Sequence, residues 1–455
     1  MCMKVCVIGT GYVGLVSAAC FAEIGHEVIG VDINGEKIKK LQNGECQIYE
    51  PGLPELLKKH LKSGKLMFST NLDEGIKSCP LILAAVGTPL GQGRRADLSQ
   101  VESVCRMIGQ HTNEEKVFVM KSTVPVGTSE RCKAWIEEEM AKRNVSRGLQ
   151  PANGAEGAVF HPIHLVSNPE FLREGKAVED FLEPDRIVVG SRDERAAKMM
   201  RELYQPLITK GTPYVEMSVE SAELTKYASN AFLATKISFI NFIAELCEAC
   251  GANVEDIARG MGLDKRIAPA FLKAGIGYGG SCFPKDVHAL MKTADALGVS
   301  SQLLQDIDAI NECQRDRFVR KVEEKMGGVR GKTLAVWGLA FKPDTDDLRS
   351  APAIDIISVL LEKGAKIQAF DPVAMDAAKG MLPKEVLLTG TDKEALTGAD
   401  GLLILTEWNH WKEWKPEMLS KTLKGKFVFD GRNVFEPKAM KDTGLQYYSI
   451  GRSQP

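Results

Sequence analysis

The chain has 455 residues, about three times a common domain length, with 44% hydrophobic and 26% charged residues. That is an ordinary globular balance, and it excludes disordered, collagen-like and coiled-coil classes. Lys+Arg 58 against Asp+Glu 60 gives a net charge of -2, which offers no global field to hold a nucleic-acid backbone or an anionic membrane. Phosphate binding must therefore be local, and neither a nucleic-acid nor a membrane partner is expected.

At the start, Met1-Cys2-Met3-Lys4 runs straight into Val5-Cys6-Val7-Ile8, too short for a signal-peptide core. The longest apolar runs, residues 81–86 and 402–405, fall far short of the roughly 18 residues a membrane span needs. The eleven cysteines are odd in number and lack disulfide-scaffold spacing, so a cytoplasmic location is expected. From Lys4 to about Gly190, β-branched-rich runs alternate with helical stretches. Strands are predicted at 4–8, 26–32, 81–86, 117–121 and 187–190, the alternation of βαβ units on a mostly parallel sheet. Residues 143–160 are aperiodic and rich in Gly, Asn and Ala, which predicts a surface loop insertion; its Asn144-Val145-Ser146 sequon has no expected role.

Residues 218–250 contain no Gly or Pro and carry apolar side chains on nearly every face. At 1.5 Å per residue they predict a helix of about 50 Å. A helix apolar all round must be covered, here by a neighbouring domain and a second subunit. From Lys332 the α/β alternation resumes, with strands at 333–337, 366–371, 401–406 and 426–430 and a helix at 351–363. Trp337-Gly338-Leu339-Ala340-Phe341 stands where phosphate-loop glycines would be, so this part should bind something other than a second dinucleotide. The predicted fold class is α/β, with two doubly wound (Rossmann-like) parallel-sheet domains joined by a central helical region with a long connecting helix.

Gly9-Thr10-Gly11-Tyr12-Val13-Gly14 follows a strand and opens a helix through Ala22. The first glycine permits the turn, the second admits a pyrophosphate, the third lets helix pack on strand, and the helix N-terminus presents amides to the anion. A second strand ends in Asp32, placed to hydrogen-bond an adenosine ribose hydroxyl and to repel a 2′-phosphate, so NAD is expected rather than NADP. Lys37, one helix entry beyond, is placed to reach the same ribose.

Gly275-Ile276-Gly277-Tyr278-Gly279-Gly280-Ser281-Cys282-Phe283-Pro284-Lys285-Asp286 carries the chemistry. Its glycines let backbone approach a ligand, and Pro284 suits the first turn of a helix through Ala296. Cys282 is thereby placed just ahead of a helix N-terminus, where thiolate is favoured over thiol, with Asp286 four residues on. Oxidising an alcohol needs no covalent catalysis, but an aldehyde has no leaving hydride until a nucleophile adds. A nucleophilic thiol together with NAD predicts a four-electron alcohol-to-acid oxidation.

The motifs GTGYVGL, VGTP with ADLS, KSTVPVGT, SNPEFLREGKAVEDFLEPDRIVVG, ELTKYASNAFLATKISFIN, GYGGSCFPKD, GLAFKPDTDDLRSAP and FDGRN, in this order over nearly the whole chain, resemble the UDP-glucose/GDP-mannose dehydrogenase family. The resemblance implies an NAD-binding domain at 1–212, a central helical dimerisation domain carrying the cysteine at 213–325 and a UDP-sugar-binding domain at 326–455. It implies oxidation of UDP-glucose to UDP-glucuronate through a Cys282 thioester, in a homodimer or higher homo-oligomer. By the same resemblance, Asp286 helps deploy the hydrolytic water, and Lys226 and Asn230, four apart on one helix face, stabilise oxyanions. Glu170, Glu174 and Thr123 handle water and thioester hydrolysis, with Thr123 beside the nicotinamide. Tyr12, Val13, Thr88, Glu174, Lys285 and Arg349 join the NAD contacts. The backbone of Glu170, Phe171, Leu172, Arg173 and Glu174 touches the sugar nucleotide. The loop Phe271, Leu272, Lys273, Ala274 and Gly275, together with Gly279, wraps its diphosphate and sugar, and Lys342 and Arg432 approach from the last domain. Arg266 reaches across a subunit boundary. Oxidation of GDP-mannose or a UDP-N-acetyl-hexosamine is the alternative within the family; a two-electron hydroxyacid dehydrogenase is the alternative outside it, and it leaves Cys282 and the third domain without a purpose.

Three other constellations have bland readings. Cys247 and Cys250 end a helix rather than begin one and read as two ordinary thiols. His161 and His164 lack the spacing of a zinc site, so no metal is expected. Trp408, Trp411 and Trp414 read as a packed helical face.

Overall fold

The computed structural model describes residues 2–91, 93, 95–146 and 161–452, and the chain divides into two compact units, Met1–Ala228 and Ser229–Pro455. The first is built on an eight-stranded sheet: β1 (Lys4–Ile8), β2 (Glu27–Val31), β3 (Leu66–Ser69), β4 (Leu81–Ala84), β5 (Lys116–Met120), β6 (Ile163–Ser167), β7 (Ile187–Ser191) and β8 (Tyr214–Met217). Its order is β3-β2-β1-β4-β5-β6-β7-β8. The first six strands are parallel, but β7 runs antiparallel to β6, and β8 follows β7. The predicted strand at 187–190 is thus present in the opposite sense, because it follows only the short helix Ala177–Leu182 and returns along the sheet instead of crossing over.

Alternation along each strand explains the two-sided core. Val5, Val7, Leu81, Leu83, Val117 and Val119 pack on one face, while Cys6, Ile8, Ile82, Ala84, Phe118 and Met120 pack on the other. Strands buried on both faces read as unbroken apolar runs, and for that reason they were visible in sequence. Edge strands β3 and β8, which carry the exposed Met67 and Val215, were not. The helix Thr128–Ser146 runs into the predicted insertion, so residues 143–146 are helical rather than loop; 147–160 lie outside the described residues.

The second unit opens with the rest of the long helix Val219–Cys250, followed by helices Val254–Gly262, Phe283–Ala296 and Gln302–Met326. Full burial of the long helix is not found in the single chain. Ala234, Ile240, Ala244 and Cys247 are buried, but Phe232 is 66% exposed and Phe239, Phe242 and Leu246 are exposed as well. These four recur at spacings of seven, three and four, which places them on one face of the helix.

A six-stranded parallel sheet completes the unit: β9 (Thr333–Trp337), β10 (Lys366–Phe370), β11 (Leu387–Leu388), β12 (Gly401–Ile404), β13 (Phe427–Asp430) and β14 (Gln446–Ser449), in the order β11-β10-β9-β12-β13-β14. It repeats the dinucleotide-type turn, since Gly338 has φ 92° and its amide donates to Phe370 at 2.9 Å, as Gly9, with φ 91°, donates to Val31 at 2.8 Å. Asp371 then stands where Asp32 stands in the first sheet, but it is fully buried and accepts hydrogen bonds from Leu339, Ala340, Val373 and Ala374 amides and the Trp408 indole. No acceptor capacity is left for a ribose, which is the physical reason this sheet does not duplicate the first. Trp411 stacks on Trp337 at 4.9 Å; Trp408, Trp411 and Trp414 pack as expected, but around a 3-10 turn, Asn409–Glu413, rather than an α-helix.

Candidate active site

In the first unit the three glycines have three distinct surroundings. A Cβ on Gly9 would stand 2.7 Å from the Ala85 carbonyl, and one on Gly14 would stand 1.8 Å from the Gly9 carbonyl. Gly11 has nothing within 4 Å of that position and caps the helix Tyr12–Glu23, leaving its amides open to an anion. Asp32 accepts from the Thr10 amide at 3.0 Å, the Thr10 hydroxyl at 2.8 Å and the Asn34 amide at 3.0 Å, and pairs with Lys37 at 3.2 Å. Burial pushes its pKa up, but these donors outweigh it and hold the carboxyl below its usual value. It is an anion at neutral pH, which suits a ribose hydroxyl and repels a 2′-phosphate. The residues fit NAD.

Sequence reasoning missed Glu50. It is buried, bonded to the Tyr12 hydroxyl, and accepts from the Gly175 and Ala177 amides at 2.7 Å each. One carboxylate thereby ties the cofactor turn to the loop that carries Glu174. Thr88 and Thr123 are brought together, the Thr88 hydroxyl donating to the Thr123 carbonyl at 2.9 Å. Glu223, also missed, accepts from the Gly127 amide at 2.8 Å and from the Ser129 amide and hydroxyl at 3.1 and 2.7 Å. It fastens the turn after Thr123 to the helix turn before Lys226.

Glu170 and Lys226 form a buried ion pair at 3.0 Å, with side chains 7% and 5% exposed. The second Glu170 oxygen accepts from the Leu172 amide at 2.6 Å. Burial raises the Glu170 pKa, but the charge of Lys226, the Leu172 amide and the charge of Lys121 together bring it below the ordinary value. Lys121 is itself buried at the end of β5, its ammonium donating to the Asn168 side-chain oxygen at 3.2 Å and carbonyl at 3.5 Å. Burial pushes its pKa down to about 8, with Glu170 opposing and Lys226 adding to the fall. Arg186 stacks on Phe171 at 3.7 Å, and Asp180 engages Arg173 through both its guanidinium and its backbone amide, the latter at 2.8 Å.

In the second unit Cys282 is the N-cap of Phe283–Ala296, with Pro284 in the first turn and the Ser281 hydroxyl 3.6 Å from Sγ. Asp286 is buried, and its two oxygens accept from Asn230 Nδ2 and Lys285 Nζ, each at 2.6 Å. The glycines before the cysteine serve packing more than expected. A Cβ on Gly279 would stand 2.2 Å from the Ser350 carbonyl, and one on Gly280 would stand 2.7 Å from the Phe341 ring. Asn241 and Gln314 hold the Gly275 amide and carbonyl at 2.9 Å each, and Asn311 holds Tyr278. These three were missed; the available signal was an amide side chain on an otherwise apolar helix face.

Arg432 is turned inward. Its guanidinium donates to the carbonyls of Leu405 at 2.9 Å, Gly277 at 3.0 Å and Phe341 at 3.4 Å, and Glu407 lies 3.4 Å away. It fastens the cysteine loop to the end of the second sheet. Leu272 and Ala274 are buried and Lys273 is exposed, while Ala268 and Phe271 hold positive φ. Lys342 lies over the Phe341 ring and Arg349 pairs with Asp347. Arg266 is 89% exposed and bound to Asp264 alone among the ion pairs found.

A dinucleotide turn and a ribose-reading carboxylate at the carboxyl ends of a parallel sheet define an NAD-dependent oxidoreductase. The chain belongs to the UDP-glucose/GDP-mannose dehydrogenase family: the family's NAD binding domain matches residues 3–208, its central domain 220–313 and its UDP binding domain 335–437. The chain is 45% identical to UDP-glucose 6-dehydrogenase TuaD of Bacillus subtilis (strain 168) over 449 residues, covering 99% of this chain and 93% of that one. It is 42% identical to a UDP-glucose 6-dehydrogenase of Pseudomonas aeruginosa, covering 99% and 98%. Among solved structures, a UDP-glucose dehydrogenase from Pyrobaculum islandicum superposes with a TM-score of 0.89 at 36% identity, covering 100% of this chain and 98% of that one. Among the described residues no helix is long and apolar enough to cross a membrane.

Proposed function

We propose that the chain oxidises the C6 hydroxymethyl of UDP-glucose to the carboxylate of UDP-glucuronate, in two successive oxidations on one cysteine. The observation that carries this reading is Cys282 at a helix N-cap, in a chain that also carries an NAD-selective turn. Relatives covering the whole chain bear the matching name. Bound NAD supplies the hydride acceptor for both oxidations.

The chain's own residues do the rest. The Cys282 thiolate adds to the C6 aldehyde, forming an S–C bond and an oxyanion; after the second oxidation the carbon remains as a thioester, which water cleaves, returning the thiol. Alcohol plus water thus becomes carboxylate, two hydrides and three protons. Lys226, a charged donor, and Asn230, a neutral one, stabilise the oxyanions. Asn230 and Lys285 orient Asp286, which with Thr123, Glu170 and Glu174 positions the water. The backbone of 170–174, the loop 271–275, Gly279 and Lys342 receive the sugar nucleotide, and Arg432 shapes that end from within.

The functional chain is a cytoplasmic homodimer or higher oligomer. Phe232, Phe239, Phe242 and Leu246 form its seam, and Arg266, 89% exposed and with no ion-pair partner beyond Asp264 among the described residues, serves a neighbour's substrate. Labour is divided between an NAD domain (1–212), a helical domain with the thiol (213–325) and a UDP-sugar domain (326–455). A panel of nucleotide sugars scored by NADH formation tests the substrate. UDP-glucose should exceed GDP-mannose and UDP-N-acetyl-hexosamines in kcat/KM by at least about a hundredfold; a larger value for either competitor would replace it.

A further inference from the structure

The paired Glu170 and Lys226 pose a charge problem. A lysine whose ammonium sits 3.0 Å from a buried carboxylate is already neutralised, and a neutral pair is a poor partner for a developing oxyanion. Lys121 is a second buried lysine that feels the charges of both Glu170 and Lys226. It is 4% exposed, at the carboxyl end of β5, and its ammonium is anchored to Asn168, two residues ahead of Glu170. Asn168 is in turn fixed by donating to the Val188 carbonyl at 2.8 Å and accepting from the Tyr204 hydroxyl at 2.7 Å. Glu170 interacts electrostatically with both lysines. Among the described residues, the charged and titratable groups facing this cluster include Glu170 from the loop after β6, Lys226 from the long helix and Tyr204 through Asn168.

We propose that Lys121 is a positioning residue for the reaction: it supplies the second buried positive charge beside Glu170, leaving the Lys121–Glu170–Lys226 cluster with a net charge of plus one that Lys226 can direct at an oxyanion. Asn168 holds that charge in place without letting it reach the substrate. The inference rests on the reading of Lys226 as an oxyanion donor. It also gives the cluster a ceiling in pH, because a Lys121 that loses its proton leaves only the neutral pair.

The test compares Lys121→Gln, which keeps a donor to Asn168 but no charge, with Lys121→Arg, which keeps the charge at every accessible pH. Lys226→Met serves as reference. With UDP-glucose and NAD in the full-length protein, Lys121→Gln should lower kcat by about tenfold to a hundredfold, less than loss of a direct oxyanion donor, with KM for NAD within about twofold. Lys121→Arg should recover most of kcat and move its alkaline fall upward by about one pH unit or more. If Lys121→Gln turned over at the wild-type rate while Lys226→Met did not, this inference would be wrong and the oxyanion reading would stand. If Lys121→Arg were as impaired as Lys121→Gln, with both melting early, Lys121 would be a packing residue only. If Lys226→Met were itself fully active, the reading underneath would fail.

Discussion

Replacing Lys226 with methionine separates the structural from the chemical use of one buried charge. Glu170 then keeps a 7% exposed carboxylate with its closest cation gone. Removing one partner of a buried pair costs about 3–5 kcal/mol, and the low end applies because Lys121 remains nearby. We expect a loss of about 3 kcal/mol in urea unfolding. In the wild type the Glu170 pKa is depressed, so its stabilisation is present above the unfolded-state value and lost as pH falls through the folded one. In Lys226→Met burial dominates and the pKa rises, so the contribution is favourable at low pH and lost as pH rises. The stability gap between wild type and variant should therefore widen as pH rises from below the ordinary carboxylate value towards neutrality. Adding Glu170→Gln removes the orphaned charge and should restore about 2 kcal/mol, since a neutral replacement of a buried pair is often tolerated. Activity should stay about a hundredfold to a thousandfold down in both variants. The measurements are urea midpoints at several pH values and initial rates of NADH formation. A double variant no more stable than Lys226→Met would show that the lost pair leaves no orphaned charge on Glu170.

Asp32→Ala removes the anion that reads the ribose; KM for NAD should rise by about tenfold or more while NADP turnover improves, seen in paired steady-state titrations. Gly279→Ala drives a Cβ to 2.2 Å from the Ser350 carbonyl, so the cysteine loop must shift; kcat should fall by about a hundredfold with NADH binding retained, as read by cofactor fluorescence. Phe232→Asp with Phe239→Asp places charges on the exposed seam. Sedimentation should show a smaller oligomer with an unchanged circular-dichroism spectrum, and an unaltered oligomer would remove that seam from the interface.

Both sheets were legible where strands are buried on two faces, because nothing but an unbroken apolar run satisfies such a position. The short or exposed strands β3, β8, β11 and β14 and the half-buried β6 carry no such signature, and the sense of β7 depends on a chain reversal that periodicity does not encode. The long helix was legible from its length without Gly or Pro, but not its open face, since an apolar surface looks alike whether this chain or another covers it. At the site, Asp32, Cys282 and Lys226 announced themselves through register and motif. Glu50, Glu223 and Lys121 did not: each is a single charged residue whose partners lie dozens of residues away, and only the fold brings amides or carboxylates to meet it. The glycines of the cysteine loop were read as room for a ligand, whereas Gly279 and Gly280 are constrained by Ser350 and Phe341, residues remote in sequence.

The central claim is that one thiol carries a sugar alcohol through two oxidations, and the most direct measurement is the number of NADH formed per UDP-glucose consumed, with Cys282→Ala run alongside. The wild-type protein should form two NADH and one UDP-glucuronate per sugar nucleotide, and Cys282→Ala should form no UDP-glucuronate above background. One NADH per substrate, or UDP-glucuronate released by Cys282→Ala at the wild-type rate, would contradict that claim.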